Sequence, residues 1–326
     1  MTATVQITML GGSGVGKTSL LTSMYEQFNA TVGVTNLQLT PDLESSAILS
    51  DRLAELKSLL EDFEATAGQG ILKTAQKRLF QFDIGQSGRR PSLSLQFVDY
   101  LGEWIDADAT PEEKLQVLNL LRESRVVLVA IDAAALMEEN RRWNEKINRT
   151  QQVTDLFKRA YQGVYEPRMV LLAPVKCEKY LSHEQAAAEL QETIKKEYRS
   201  LLNFLASGVL KEKVAVVITP VQTVGSVIFS RIEVRNREPH FFFRKVRYDS
   251  VYSPKDSDQP LRYLLRFLLS MHYRRFGRWL LFDFLREWFG VGHYLREAIE
   301  EFARGCKESQ GFEVVQGREL LSLDHQ

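Results

Sequence analysis

Apolar and polar positions along the chain follow two periods that take turns. Residues 4–10 (TVQITML) read as a short strand, and the next apolar set, Leu20, Leu21 and Met24, has helical spacing. Residues 30–39 (ATVGVTNLQL) are small and polar and read as a loop. Thr40, Pro41 and Asp42 then predict a helix start, with an N-cap and a proline at the first helical position. Leu53, Leu56, Leu59, Leu60 and Phe63 share one face of that inserted helix. After a second loop-like stretch at 65–73, residues 77–84 (KRLFQFDI) and 92–100 (SLSLQFVDY) alternate as a hairpin would.

Beyond the hairpin, Thr110, Pro111, Glu112 and Glu113 form a capping box that opens a helix to about residue 123. Residues 125–131 (RVVLVAI), 168–174 (RMVLLAP) and 213–218 (KVAVVI) are continuous apolar runs, the pattern of strands covered on both faces. Helices are predicted between them, around 151–162 and from Ser182 and Gln185 to about 206. This alternation predicts an α/β fold, a doubly wound and mostly parallel sheet that takes ligands at the carboxyl ends of its strands. Residues 228–234 and 241–248 read as an added edge ribbon, and Leu261, Leu264, Leu265, Leu268 and Leu269 as a last covering helix. The expected division is a body over 1–270, with an insertion at about 40–73 and a hairpin at about 228–248, followed by an α-helical carboxyl-terminal extension over 271–326.

The strand at 4–10 runs directly into Gly11, Gly12, Ser13, Gly14, Val15, Gly16, Lys17 and Thr18, with Ser19 opening the helix. This is the G-x-x-x-x-G-K-[ST] phosphate loop in its strand–loop–helix setting. Glycines let successive N–H groups turn onto phosphate oxygens, and the following helix adds its positive end. Lys17 would supply the fixed cation and Thr18 a hydroxyl for Mg²⁺. The bland alternative is a flexible Gly/Ser turn. A second signal is the run Asp99-Tyr100-Leu101-Gly102-Glu103, a carboxylate at a strand tip followed by a glycine. Asp99 would reach Mg²⁺, and the Gly102 N–H the γ-phosphate.

Composition narrows the picture. Lys+Arg and Asp+Glu both number 42, so net charge gives no push toward nucleic acid. Cys177 and Cys306 are the two cysteines, too few for a disulfide framework or a cysteine zinc site and in keeping with a reducing cytoplasm. His272 and His293 stand apart from any ligand cluster. No apolar run reaches membrane-spanning length, and the first strand begins so early that no signal peptide is expected before it.

Over roughly residues 4–225 the chain resembles a P-loop GTPase of the translation-factor/Ras-like class. Residues 11–18 match its phosphate loop and 99–102 its switch-II D-x-x-G. Residues 175–178 (VKCE) stand where the guanine-reading N-K-x-D would stand, and 219–222 (TPVQ) at the last base-contacting loop. The run D-Y-L-G-E-W at 99–104 is also similar to the D-Y-P-G-E-W of the YcjX-like branch of bacterial GTPases, and the layout to bacterial double-GTPase proteins.

That resemblance implies a Ras-like G domain that binds GTP or GDP with Mg²⁺. Lys176, Glu178, Pro220 and Val221 would lie at the base, and Glu103 would take the place of the glutamine that orients water. It also implies a switch-I threonine, with Thr74 the first choice and Thr66 the second. The sequence departs from the family where Val175 can neither donate nor accept and where Glu178 is longer than aspartate. Each lost base-reading hydrogen bond would cost roughly 1–3 kcal/mol and loosen the choice of guanine over adenine.

The implied function is a cytoplasmic, Mg²⁺-dependent and slow GTPase that acts as a switch for a protein partner. The rivals are a P-loop ATPase or small-molecule kinase, and a nucleotide-stabilised scaffold in which Glu103 does no chemistry. Arg262, Arg266, Arg274, Arg275 and Arg278, followed by the aromatics of 279–289, read as core packing, as a partner or homodimer contact through the carboxyl-terminal helices, or as a peripheral membrane contact.

Overall fold

Strand β1 (Ala3–Leu10) lies inside the main sheet with a strand on either side, and Val5, Ile7, Thr8, Met9 and Leu10 are buried across its two faces. Val5, Ile7 and Met9 face one core, and Leu10 faces the other. The computed structural model describes residues 3–31, 37–66, 77–86, 91, 93–100, 102–105, 109–273 and 293–323. Around β1 the main sheet adds β2 (Leu37–Pro41), β4 (Arg78–Gln86), β5 (Leu93–Asp99), β6 (Val126–Asp132), β7 (Arg168–Val175), β8 (Val214–Ile218) and β11 (Glu313–Gln316). The spatial order is β11-β8-β7-β6-β1-β5-β4-β2. β8, β7, β6, β1 and β5 are mutually parallel, while β4, β2 and β11 join antiparallel.

Helices cover both faces, as fully apolar parallel strands require. On one face lie α1 (Lys17–Thr31), α2 (Leu43–Ser58), α10 (Gln259–Tyr273) and α11 (His293–Arg304), which bring Leu20, Met24, Phe28, Leu49, Leu265, Phe267, Ile299 and Phe302 into a single core. The other face is covered by α3 (Pro111–Glu123), α6 (Thr150–Ala160), α7 (Glu184–Glu197) and α8 (Arg199–Leu205). Burying one such Leu or Phe side chain contributes about 1.5–3 kcal/mol. Helix α3 starts as predicted: Thr110 Oγ1 accepts from the Glu113 N–H, and Glu113 Oε2 accepts from the Thr110 N–H. Between β6 and α6 lie two single turns, α4 (Ala133–Met137) and α5 (Asn144–Asn148), and a third, α9 (Leu210–Lys213), leads into β8.

Several expectations are corrected. Residues 37–41 are not loop and helix start but strand β2, in which Leu37 and Leu39 are buried while Gln38 and Thr40 are exposed. Pro41 closes this edge strand, a position that tolerates its missing N–H. The N-cap is Asp42, whose carboxylate accepts from the Ser45 N–H at 2.7 Å, so the proline lies outside the helix. The buried stripe of α2 is Ser45, Leu49, Arg52 and Leu56; Leu59 and Leu60 pack beyond its end, and Phe63 is exposed. Residues 64–66 are β3 (Glu64–Thr66) rather than loop.

The second hairpin, β9 (Val227–Arg235) and β10 (Glu238–Lys245), does not extend the main sheet. It pairs with β3 in a separate sheet of order β3-β10-β9, with Thr66 opposite Phe242. The single long helix predicted to 206 is two, because the fully buried Tyr198 leaves helical geometry; its N-cap is His183. After α11 the chain returns to the sheet as β11, and the Gln316 amide donates to the carbonyls of Leu205, Leu210 and Val214.

Of the basic positions in the carboxyl-terminal part, Arg262 pairs with Asp258, and Arg266 donates to the Leu321 carbonyl. Arg274, Arg275, Arg278 and the aromatics of 279–289 lie outside the described residues. Among the described residues, no helix is long and apolar enough to cross a membrane.

Candidate phosphate-binding site

The parallel register places Met9 opposite Asp99, so the loop leaving β1 and the carboxylate ending β5 emerge side by side. Gly14 and Gly16 have φ of 75° and 114°, values that side chains rarely adopt. Val15 anchors the loop in the core, and Ser13 and Gly14 stand outward. Lys17, Thr18 and Ser19 are all buried in the first turn of α1.

Lys17 Nζ donates to the carbonyl of Gly11 at 3.0 Å and of Gly12 at 3.3 Å. It lies 3.9 Å from Asp99 Oδ1 and 5.5 Å from the centre of the Tyr100 ring. Burial lowers its pKa below the ordinary lysine value, and the Asp99 charge only partly offsets this. Thr18 Oγ1 donates to Asp99 Oδ2 at 2.6 Å. Asp99 is fully buried, yet its Oδ1 has no hydrogen-bond partner. A buried carboxylate oxygen left open beside a hydroxyl is a hard oxygen donor set, and it fits Mg²⁺.

Gly102 closes the site from above. A Cβ on it would fall inside the 3.0 Å that real Cβ contacts essentially never breach, against the backbone of Gly12 and Ser13. The D-x-x-G turn therefore rests on the phosphate loop itself. Glu103 is the second residue of the short helix Gly102–Ile105 and is exposed. Thr74 lies outside the described residues, and Thr66 ends β3 in the second sheet.

On the base side, Val175 ends β7 fully buried. Lys176 follows with φ 56° and crosses the loop, its Nζ donating to the Gly14 carbonyl at 3.1 Å and pairing with Asp132 Oδ2 at 2.5 Å. It is thus not a solvated surface lysine. Glu178 is buried, and its Oε1 accepts from the N–H groups of Val224 and Gly225 at 3.1 and 3.0 Å. Burial outweighs those bonds and raises its pKa.

Neighbouring amides are engaged as well: Thr219 N–H with the Leu172 carbonyl, Val221 N–H with that of Pro174, and Gln222 N–H with that of Lys255. The Val221 side chain is core, and Pro220 is buried beside it.

Four participants were not singled out from the sequence. Asp132 caps α4 through the Ala135 N–H and holds Lys176. A carboxylate at the tip of an apolar strand, the signal that marked Asp99, marks it too. Asn148 ties both backbone groups of Asp132, and Ile147 and Arg149 press on Gly12; these carry no local signature.

The GTPase-like domain of S. cerevisiae Ski7 bound to GTP aligns over 68% of this chain and 43% of its own, at 12% identity and a TM-score of 0.40. The same domain bound to GDP and inorganic phosphate gives 15% identity and a TM-score of 0.39 over the same shares. The chain thus spans under half the length of these structures. No curated protein matches it significantly. Residues 5–215, which hold the loop, the D-x-x-G turn and Lys176, match the model of the Double-GTPase 2 family, and the chain belongs to that family of P-loop GTPases.

Proposed function

We propose that this chain binds GTP with Mg²⁺ and hydrolyses it slowly, as a cytoplasmic switch read by a protein partner or a second copy. The observation that carries this reading is the buried Thr18–Asp99 pair, with an open carboxylate oxygen 3.9 Å from Lys17 Nζ, beneath a glycine-rich loop. Thr18 and Asp99 would hold the metal ion, which when bound neutralises charge on the β- and γ-phosphate oxygens. Lys17 would exchange its loop carbonyls for phosphate oxygens, and the loop amides would bind the rest. The Gly102 N–H, resting on the loop, would report whether a γ-phosphate is present.

The engagement of Glu178 and its neighbouring amides favours a site that grips phosphates harder than the base. Titration calorimetry with GTP, GDP and ATP, each with Mg²⁺, should therefore show ATP binding within roughly tenfold of GTP, about 1.4 kcal/mol. Failure to bind any triphosphate would overturn the reading; a diphosphate product absent under excess enzyme would remove hydrolysis from it. Asp99→Ala should keep metal-free nucleotide binding and lose the Mg²⁺ enhancement. An equal Mg²⁺ response in variant and parent would take Asp99 out of the metal site.

A further inference from the structure

Two basic residues approach the phosphate loop from outside, and both hold a left-handed backbone: Lys176 at φ 56° and Arg149 at φ 54°. A residue with a long side chain keeps that conformation only where its surroundings enforce it, and Arg141 and Arg237 hold it too, so the backbone angle gains meaning only from what lies against it. For Lys176 the reason is visible in its bonds to Gly14 and Asp132.

Arg149 is enforced as firmly. Asn148, just before it, is buried and clamps the end of β6: its Oδ1 accepts from the Asp132 N–H at 2.7 Å, and its Nδ2 donates to the Asp132 carbonyl at 3.1 Å. The Arg149 N–H bonds the Glu145 carbonyl, and the Arg149 carbonyl receives the Val153 N–H, so the residue joins α5 to α6 as a fixed corner. That corner lies against the loop. The Ile147 carbonyl occupies the place a Gly12 Cβ would take, and Arg149 Cγ lies 3.7 Å from it. Gly102 covers the Gly12–Ser13 peptide. Arg149 and the γ-sensing glycine therefore meet the same short stretch of loop, and the guanidinium continues three bonds past Cγ.

We propose that Arg149 is a catalytic arginine supplied by the chain itself, its guanidinium bonding the γ-phosphate of bound GTP during hydrolysis. This rests on the reading of the chain as a GTP hydrolase. In that step a water oxygen bonds the γ-phosphorus as the bond from phosphorus to the β–γ bridging oxygen breaks. The electron pair stays on the β-phosphate of GDP, and both water protons leave with the product as dihydrogen phosphate. Arg149 remains protonated throughout and offsets charge that builds on the transferred group. With Glu103 exposed, the gain comes from charge stabilisation rather than from a base.

The test uses Arg149→Gly and Arg149→Lys in the full chain. Glycine relieves the left-handed backbone but also removes the side chain's contacts, so a merely structural arginine predicts nucleotide binding and turnover that change together with Tm. The proposal expects, at temperatures well below either Tm, single-turnover hydrolysis lower by about 100-fold or more and binding of a non-hydrolysable GTP analogue within threefold (about 0.7 kcal/mol) of the parent. It further expects both variants to lose capture of GDP with aluminium fluoride, a mimic of the transferred group, with lysine restoring part of it.

Parent-like turnover and parent-like aluminium fluoride capture in Arg149→Gly overturn the role of Arg149 alone. A parent chain that binds GTP without turning it over removes the hydrolase reading and this inference together.

Discussion

Replacing Lys17 with alanine will abolish measurable triphosphate binding and leave the fold in place. The ammonium is buried and already within reach of two loop carbonyls, whereas the other loop-bonded lysine, Lys176, is held by Asp132. Charge-assisted hydrogen bonds contribute about 1.5–3 kcal/mol each. Losing two would weaken binding by about two to four orders of magnitude.

The fold should tolerate the change, because burial disfavours the charged form of Lys17 in the free protein. The sign follows from the lowered pKa. Below it the buried charge opposes folding, and the opposition fades as pH rises through the folded value toward the unfolded one. An arriving phosphate draws the pKa back up, so binding on the alkaline side takes up a proton. Calorimetry in buffers of different ionisation enthalpy, with a melting curve for Lys17→Ala, measures both effects. Affinity within threefold of the parent would remove the site.

The second large effect is expected at Gly102. Any Cβ there collides with the Gly12 and Ser13 backbone, which cannot swing aside as a side chain would. Gly102→Ala must lift Gly102 from the loop, and on the proposed reading this withdraws its N–H from where a γ-phosphate would bind while sparing the places of the α- and β-phosphates. GDP affinity should stay within threefold, the preference for GTP over GDP should vanish, and single-turnover hydrolysis should fall by about 100-fold or more, as for a lost transition-state donor. Unchanged GTP-to-GDP selectivity would show that the turn senses nothing.

What could be read from the chain was chemistry carried by contiguous residues. Residues 11–18 and 99–102 declare a phosphate loop and a strand-tip carboxylate without help from the rest, and the all-buried strands β6, β7 and β8 declare themselves by their apolar runs. What escaped was set by partners far along the chain. Strand β2 looks like loop because only Leu37 and Leu39 are buried and its partner β4 begins at Arg78. β3 has three residues and exists because β10 pairs with it. Lys176 was ambiguous because Asp132, its counterion, is 44 residues away. Arg149 shows only an arginine in sequence; its meaning comes from the corner that Asn148 fixes against Gly12.

The placing of β11 has a consequence for how the chain is made. β8 has β7 on one side and gains its other neighbour only when residues 313–316 arrive, after α10 and α11 have been synthesised. Until then a nascent chain on the ribosome presents VAVVI as an open, valine-rich rim, an invitation to other polypeptides. The Gln316 amide, gathering three carbonyls from the helices and strand beside it, is the latch that ends this exposure.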